Sequence, residues 1–174
     1  MEYDVIIVGA GAAGLSLALN LAEHARVLVI CKAELTESAT LYAQGGISAV
    51  LDESDSVEAH VRDTLVAGAG LCRESAVEFI VSRGRERIQW LIDQGVPFTR
   101  VPGADGQPAY HLHKEGGHSH RRIIHAADAT GRAVEETLVS RVRAHSDITV
   151  LEHHVAVDLI TTAKLGMNRD RCVG

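Results

Sequence analysis

A glycine-rich turn between a strand and a helix constrains this chain more than any other feature of its sequence. Residues 4–8 form a β-branched apolar run that is typical of a buried parallel strand, and residues 12–25 are rich in alanine and leucine, as helices are. Residues 9–14 lie between them and fit the pattern G-x-G-x-x-G. A second apolar run follows at residues 26–31, so this part of the chain predicts a βαβ unit.

The three glycines have distinct roles in a dinucleotide-binding turn. Gly9 permits the tight turn, Gly11 lets the backbone approach a pyrophosphate, and Gly14 lets the helix pack closely on the strand. The N–H groups and the positive end of the helix dipole then bind phosphate. A purely structural turn is the alternative. Cys31 and Lys32 stand where an acid ordinarily binds the adenosine ribose, which weakens a plain NAD assignment.

The rest of the chain predicts an α/β fold, with helices added to the βαβ core and a section of antiparallel strands. Asp55 and Glu58 resemble a capping box that opens a helix ending near residue 67. We also expect a loop at 34–50, a helix at 74–94 that Gly95 ends, a surface segment at 96–110, a helix at 130–145, strands at 148–152, 155–162 and 172–174, and a turn at 164–171.

Composition and charge exclude several classes of function. Seventeen basic residues against 23 acidic ones leave a net charge of −6 over 174 residues, so no basic excess is available for nucleic acid. No apolar run approaches the roughly 18 residues that span a membrane, and no signal-like segment precedes the first strand. Cys31, Cys72 and Cys172 are odd in number and lie in apolar segments, which predicts reduced core thiols in a cytoplasmic protein.

Three further stretches carry a resemblance to a known family. Lys32 follows the second strand, residues 38–46 read Ser-Ala-Thr-Leu-Tyr-Ala-Gln-Gly-Gly, and residues 115–131 read Glu-Gly-Gly-His-Ser-His-Arg-Arg-Ile-Ile-His-Ala-Ala-Asp-Ala-Thr-Gly. With the glycine turn, these stretches resemble the flavoprotein family of succinate dehydrogenase and fumarate reductase, and within it the L-aspartate oxidases. The resemblance covers essentially the whole chain.

The resemblance implies a Rossmann-like FAD-binding domain over residues 1–174. It puts the glycine turn at the pyrophosphate, Lys32 at the adenosine side, the second stretch around the flavin half, and late backbone contacts at the adenine side. Covalent members bond the flavin to a histidine whose place Ala39 takes here, so non-covalent FAD is implied. The implied cofactor-binding residues are Gly9, Ala10, Gly11, Ala12, Ala13, Gly14, Lys32, Ala39, Thr40, Leu41, Tyr42, Ala43, Gln44, Gly45, Gly46, Val155 and Ala156.

The same resemblance implies the oxidation of L-aspartate to iminoaspartate, with oxygen or fumarate as electron acceptor. This reaction opens de novo NAD biosynthesis, and quinolinate synthase would consume its product. Glu115 matches an acid that orients the substrate where the dicarboxylate enzymes have a neutral side chain, and a carboxylate can recognise the ammonium group of aspartate. A solvated acid beside two glycines is the alternative.

Three other functions stay open at this point. They are a flavoprotein subunit of succinate dehydrogenase or fumarate reductase, a nicotinamide-dependent Rossmann enzyme, and a non-catalytic module that binds a nucleotide or a metal. By resemblance, the proton-carrying arginine, most ligands of the substrate carboxylates and a capping domain lie beyond residue 174. We therefore expect an incomplete domain, the first part of a larger enzyme, that does not turn over aspartate by itself.

Five of the ten histidines lie within fifteen residues: His111, His113, His118, His120 and His125. A zinc or copper site is one alternative, but no recognised ligand spacing is complete, so no metal is expected. A polar loop beside the flavin is another, in which His118, Arg121 and Arg122 supply positive charge; the third is a set of buried histidines that shape the loop. Thr130 and Gly131 could form an anion-facing helix start or a simple N-cap.

Overall fold

A computed structural model describes residues 2–103, 106–127, 129–167 and 171–174. Asp128 of the stretch that carries the resemblance, and residues 168–170 of the predicted turn, lie outside these ranges. The chain divides into two units, Met1–Ser38 with Val142–Gly174 (unit 1) and Ala39–Arg141 (unit 2). The elements of the described residues are β1 Val5–Val8, α1 Ala12–Ala22, β2 Val27–Ile30, β3 Ile47–Ser48, α2 Val57–Ala67, α3 Glu74–Ser82, α4 Gly84–Gln94, β4 Arg100–Pro102, β5 Pro108–Tyr110, β6 Leu112–His113, β7 Ile123–Ile124, α5 Thr130–Ala144 and β8 Ile148–Leu151.

Unit 1 is built on a parallel sheet with the strand order β1-β2-β8. The central strand β2 is the most deeply buried, with Val27 and Val29 fully covered, as its apolar run predicts. Leu15 and Ala18, one turn apart on α1, are also fully buried. The predicted strand, helix and strand are therefore confirmed, although the helix ends at Ala22 rather than residue 25.

The described residues of unit 2 form two small antiparallel sheets and the helices α2, α3 and α4. The first sheet has the order β3-β7-β6, and Ile124 of β7 faces both Ile47 and Leu112. The second is the β4–β5 hairpin. Helix α5 begins in this unit and presents an apolar stripe, with Val134 and Leu138 buried, so the predicted amphipathic helix is confirmed.

Two expectations about the helices are wrong. Ser56, not Asp55, caps α2, because its hydroxyl accepts the N–H of Ala59 at 3.1 Å. The predicted helix at 74–94 is two helices, α3 and α4, with a break at Arg83, whose ψ of −3° departs from a regular helix. Gly95, at φ 101°, ends α4 in the left-handed conformation as predicted.

The loops and the C-terminal segment also depart from the sequence-based expectations. The predicted loop at 34–50 contains β3, and the segment at 96–110 contains β4 and β5 while burying Val96 and Phe98. Residues 155–160 form no strand, and pairing there reduces to an isolated bridge between Thr161 and Cys172. A strand needs a neighbour along its length, and this segment has one only at its end.

The three thiols occupy three different environments. Cys31 is buried, Cys72 is half-buried and Cys172 is exposed, and all three are free, so the expectation of three core residues holds for Cys31 alone. Burial raises the pKa of the Cys31 thiol, which keeps it protonated and unreactive. Among the described residues, no helix combines the length and the apolar character that crossing a bilayer demands.

Candidate functional site

The glycine turn has the geometry that a phosphate-binding turn requires. Gly9 has φ 111°, which favours glycine, and its N–H donates to the Ile30 carbonyl at 2.9 Å. A Cβ on Gly14 would collide with the Gly9 carbonyl oxygen, so the helix approaches the strand as closely as backbone allows. In the described residues, no side chain caps the start of α1 at Gly11, and its first turn holds no acid. The positive end of this helix dipole is therefore not neutralised by an acid in the first turn, which suits an anionic ligand.

The other predicted cofactor residues of unit 1 lie at the same edge of the sheet. Lys32 follows β2, and Val155 and Ala156 come shortly after β8. His154 donates its N–H to the Cys31 carbonyl at 3.0 Å, so the chain after β8 runs beside the chain after β2. Because the carboxyl ends of β1, β2 and β8 meet at one edge, these residues line the side at which α/β sheets bind ligands.

The predicted flavin-side segment, residues 39–46, lies in unit 2 and is held by the start of α5. Gly131 donates its N–H to the Ala43 carbonyl at 3.0 Å. A Cβ on Gly131 would lie 2.5 Å from that oxygen and closer still to the carbonyl oxygen of Thr40. At the other end of the segment, a Cβ on Gly46 would lie 2.5 Å from the Ile124 carbonyl oxygen. Two glycines thus fix the path of this segment through backbone contacts.

The start of α5 therefore serves the protein itself. Thr130 is the first residue of the helix, 1% exposed, and its hydroxyl accepts the N–H of Ala126 at 3.1 Å. The N–H of Gly131 is taken by Ala43. Thr130 is therefore a residue of the helix and not its N-cap, whereas the expectation of an anion-facing start stays a prediction, with one of its N–H groups already bonded to Ala43.

Glu115 lies in the turn that follows β6, with its carboxylate about half exposed. His113 Nε2 donates to Glu115 Oε1 at 2.9 Å. The His113 ring also contacts the ring of His125, with centroids 4.7 Å apart. A carboxylate that is exposed yet oriented by a neighbouring imidazole can accept a cationic group of a ligand.

Three histidines of the cluster form a connected group. His125 Nδ1 donates to the Ala127 carbonyl at 2.8 Å, which leaves its Nε2 as acceptor when the ring is neutral. His111 Nδ1 lies 2.8 Å from that Nε2 and donates to it. The rings of His111, His113 and His125 therefore shape the loop through hydrogen bonds and ring contacts. Within the described ranges, no group of three or more histidine, cysteine, aspartate or glutamate side chains is arranged to hold a metal ion.

Arg122 does not supply positive charge to a ligand, contrary to one sequence-based expectation. Its side chain is fully buried and makes two hydrogen bonds to Asp55, at 2.8 and 2.7 Å, and one to Asp63, at 2.7 Å. Two carboxylates therefore neutralise the guanidinium inside the protein. His118 lies 3.5 Å from the same guanidinium, whereas Arg121 is exposed and donates to the Leu112 carbonyl at 3.5 Å.

Sequence reasoning missed the partners of Arg122. Asp55 and Asp63 are separated by eight positions on or beside α2, and His60 between them is 5% exposed. The only signal in the sequence for these partners is that Asp55 and Asp63 have the spacing of one helical face, on which His60 also lies. An acidic helix face is ordinarily exposed to solvent, so the spacing of the acids did not predict that they pair with Arg122 on a distant loop.

The electrostatics of this group follow from its contacts. Backbone hydrogen bonding from Ser119 is the main reason that the pKa of Asp63 falls from 3.8 to about 2, and Arg122 adds to it. Burial alone would raise the pKa of Asp55, but hydrogen bonds from Arg122 and from the Ser56 backbone lower it. Burial lowers the pKa of His60, so this histidine is neutral at pH 7.

Comparison with known proteins identifies the family. A family model described as an FAD binding domain matches residues 4–174, almost the full length of the chain. The chain belongs to this FAD binding domain family.

The geometry fits the cofactor of an FAD binding domain. A pyrophosphate carries negative charge, and the start of α1 offers it a helix dipole and an acid-free first turn. The absence of a Cβ at Gly14 lets this helix pack closely against the backbone at Gly9. Ala39 has no nucleophilic atom, which is consistent with a flavin that is bound without a covalent bond.

Two curated relatives match the FAD binding domain over nearly its whole length. The chain is 60% identical to L-aspartate oxidase 1 of Ralstonia nicotianae over 100% of its own length. It is 58% identical to L-aspartate oxidase of Pseudomonas aeruginosa over 99% of its length. The chain spans about a third of these relatives, 32% and 33% of their lengths.

A solved structure shares the fold of this FAD binding domain. E. coli quinol fumarate reductase superposes with a TM-score of 0.85 at 32% sequence identity, over 92% of this chain and 27% of that one. The α/β fold predicted from the sequence, and its likeness to the fumarate reductase flavoproteins, are confirmed.

Proposed function

We propose that this chain is the FAD-binding part of an enzyme that oxidises L-aspartate to iminoaspartate, with oxygen or fumarate as electron acceptor. The observation that carries the proposal is the identity of 58 to 60% with proteins named L-aspartate oxidase, against 32% with a fumarate reductase. By this reading the reaction opens de novo NAD biosynthesis in the cytoplasm. Quinolinate synthase then consumes the product.

Three segments would hold FAD, all from the single domain proposed for residues 1–174. The glycine turn and the start of α1 bind the pyrophosphate, Lys32 with the segment after β8 binds the adenosine side, and residues 39–46 bind the flavin half. Backbone N–H groups dominate these contacts because glycines and alanines leave the backbone accessible. The proposed contact residues are Gly9, Ala10, Gly11, Ala12, Ala13, Gly14, Lys32, Ala39, Thr40, Leu41, Tyr42, Ala43, Gln44, Gly45, Gly46, Val155 and Ala156.

Glu115 would orient the substrate. Aspartate and succinate share two carboxylates and differ by one ammonium group, so a carboxylate that meets that cation distinguishes them. His113 Nε2 donates to one Glu115 oxygen at 2.9 Å, which leaves the other oxygen available to the ligand. When bound, FAD supplies the electron acceptor for the hydride that leaves the α-carbon. The chain's own residues bind, orient and select.

The test uses the protein as its native gene encodes it, loaded with FAD. We expect L-aspartate to give hydrogen peroxide in air, and Glu115→Gln to lower kcat/KM for L-aspartate by about tenfold or more, the loss expected when one charge-assisted hydrogen bond is removed. Binding of succinate, which has no ammonium group, should change much less. His24→Gln is the control, because His24 is exposed and lies in unit 1 beyond the end of α1.

A flavoprotein subunit of a succinate dehydrogenase or fumarate reductase is the second candidate, favoured by the fold shared with E. coli quinol fumarate reductase. In that case succinate, not L-aspartate, is oxidised, and Glu115→Gln leaves the substrate preference as it was. Those two results together would replace the proposed function with the second one.

A further inference from the structure

Asp63 is the point at which α2 is tied to the turn that carries Glu115. A single oxygen, Asp63 Oδ2, accepts three hydrogen bonds: from the Ser119 N–H at 2.7 Å, from the Ser119 hydroxyl at 2.7 Å, and from Arg122 Nη1 at 2.7 Å. Three donors on one oxygen hold it in a defined place. Two of the three come from Ser119, so this residue of the loop is attached to the helix by both its backbone and its side chain.

Ser119 directly follows the turn that runs from Glu115 to His118. The N–H of His118 donates to the Glu115 carbonyl at 3.3 Å, and Gly117 adopts φ 84° between them. Lys114 Nζ donates to the Ser119 carbonyl at 3.1 Å, which ties the two ends of the turn together. Holding Ser119 therefore holds the backbone from which the Glu115 side chain projects.

Arg122 makes this attachment stiff. Its guanidinium is fully buried, and the pair of hydrogen bonds to Asp55 fixes the orientation in which its third donor points at Asp63. Burial leaves the cation no water to replace a lost carboxylate. The helix α2 and the turn are consequently locked through one buried charge.

We propose that Asp63 is a positioning residue for Glu115, acting through Ser119 and Arg122 to hold the carboxylate where it meets the ammonium group of the substrate. The inference rests on the function proposed above for Glu115. It assigns substrate selection in part to a helix residue that itself touches no substrate.

The first test measures the turn directly. In Asp63→Ala, amide hydrogen exchange at Ser119 should become about tenfold faster, because the amide loses its acceptor. Asp63→Asn keeps an amide oxygen that can accept the Ser119 N–H, so it should lie between the parent and Asp63→Ala. Glu58→Gln is the matched control, since Glu58 lies exposed in the first turn of the same helix. An unchanged exchange rate at Ser119 in both Asp63 variants overturns the proposal.

The second test measures selection, in the FAD-loaded protein as its native gene encodes it. The readout is the ratio of the Kd for succinate to the Kd for L-aspartate, from the shift that each ligand causes in flavin absorption. Asp63→Ala should reduce this ratio by about tenfold, as Glu115→Gln does, with a smaller loss in Asp63→Asn and none in Glu58→Gln. A merely structural role would weaken both ligands alike and leave the ratio unchanged.

Variants at Glu115 and at Asp63 distinguish the proposed role of Glu115 in substrate selection from the proposed positioning role of Asp63. When Glu115→Gln reduces the ratio and neither Asp63 variant does, the positioning role is wrong and the role of Glu115 stands. When Glu115→Gln itself leaves the ratio unchanged, the role of Glu115 is wrong and the positioning role falls with it.

Discussion

At the scale of single residues, Arg122 shows how a functional reading of an arginine depends on burial. Its position beside the histidines suggested a cation for a ligand, yet its charge is already balanced by Asp55 and Asp63. A buried cation with two carboxylate partners is a structural group whose loss leaves uncompensated charge inside the protein.

Removing this cation should therefore cost much of the stability. We expect Arg122→Ala to lower the free energy of unfolding by about 3–5 kcal/mol, because the fully buried carboxylate of Asp55 loses its counter-ion. Urea unfolding followed by circular dichroism gives the value. Arg26→Ala is the matched control, since Arg26 pairs with Asp4 at the surface with both side chains about half exposed. An equal decrease in the free energy of unfolding in both variants would mean that the buried ion pairs of Arg122 stabilise the chain no more than the exposed pair of Arg26.

The same group predicts how stability depends on acid. The pKa of Asp63 is about 2 in the folded chain against 3.8 ordinarily, so its contribution is fully present above pH 4 or so and is lost as the pH falls toward 2. Asp63→Asn should therefore be less stable than the parent at pH 7, and the difference should shrink between about pH 4 and pH 2. Urea midpoints measured across this range test it. A difference that stays constant with pH would contradict the low pKa.

At the scale of elements, local sequence patterns predicted most helices and strands but not the contacts that end or join them. The βαβ unit follows from β-branched runs around a glycine turn, and α5 from its apolar stripe. The break at Arg83 was missed because the apolar spacing continues through it from Val81 to Ile88. A Cβ added at Gly84 would lie 3.4 Å from the Cβ of Ala49, so the start of α4 packs against a segment distant in the sequence, and no local pattern records that contact.

The candidate site divides in the same way. The glycine turn was predictable because its chemistry is local. In contrast, Asp63 is hydrogen-bonded to Ser119, 56 positions away in the sequence, and to Arg122, 59 positions away. The pairing of Arg122 with Asp55 spans 67 positions. Interactions over such separations depend on the tertiary fold and leave no period in the sequence.

Two glycines in helices provide a direct test of close packing. Gly131→Ala should destabilise the chain by about 1–3 kcal/mol, because its Cβ meets the carbonyl oxygens of Thr40 and Ala43, which cannot yield as a side chain would. Gly84→Ala should be neutral or stabilising by up to about 1 kcal/mol, since its Cβ would meet Ala49 at ordinary distance. Thermal unfolding of the two variants gives the comparison. Gly131→Ala as stable as Gly84→Ala would contradict the described path of residues 39–46.

Binding of the pyrophosphate at the start of α1 can be tested with a negative charge that stabilises the helix but repels the ligand. Asp is a preferred N-cap, so Gly11→Asp should leave the chain without FAD as stable as before or more stable by up to about 1 kcal/mol. The same carboxylate repels the pyrophosphate and should weaken FAD binding by about tenfold or more. Gly11→Asn is the matched control, because it caps the helix without the charge. Titration of FAD fluorescence measures the affinity of each variant for FAD. Equal affinities of Gly11→Asp and Gly11→Asn would argue against a pyrophosphate at the start of α1.

At the scale of the whole molecule, FAD should act as a reversible stabiliser of the chain. A ligand that binds only the folded state contributes about 2.7 kcal/mol at a hundredfold excess over its Kd. We expect the melting temperature to rise with FAD concentration, and acid precipitation to leave all of the flavin in solution, because Ala39 cannot bond to it. Absorbance of the pellet and the supernatant near roughly 450 nm, a property of oxidised flavin cofactors, measures the release. Flavin retained in the pellet would mean a covalent bond at another residue.

The strand order β1-β2-β8 also sets a sequence of events during synthesis. Residues Ala39–Arg141 form one continuous stretch, whereas β2 must wait for Ile148–Leu151 before its second edge is paired. Contacts across such a separation form late because a long loop has to close first. Residues 39–141, which include the buried Arg122, are therefore all synthesised before β8. Until β8 pairs with β2, the sheet that carries the glycine turn lacks one of its three strands. The edge of the sheet at which we propose that the nucleotide binds is consequently among the last of these elements to form, so free cofactor would find this edge only after β8 has paired.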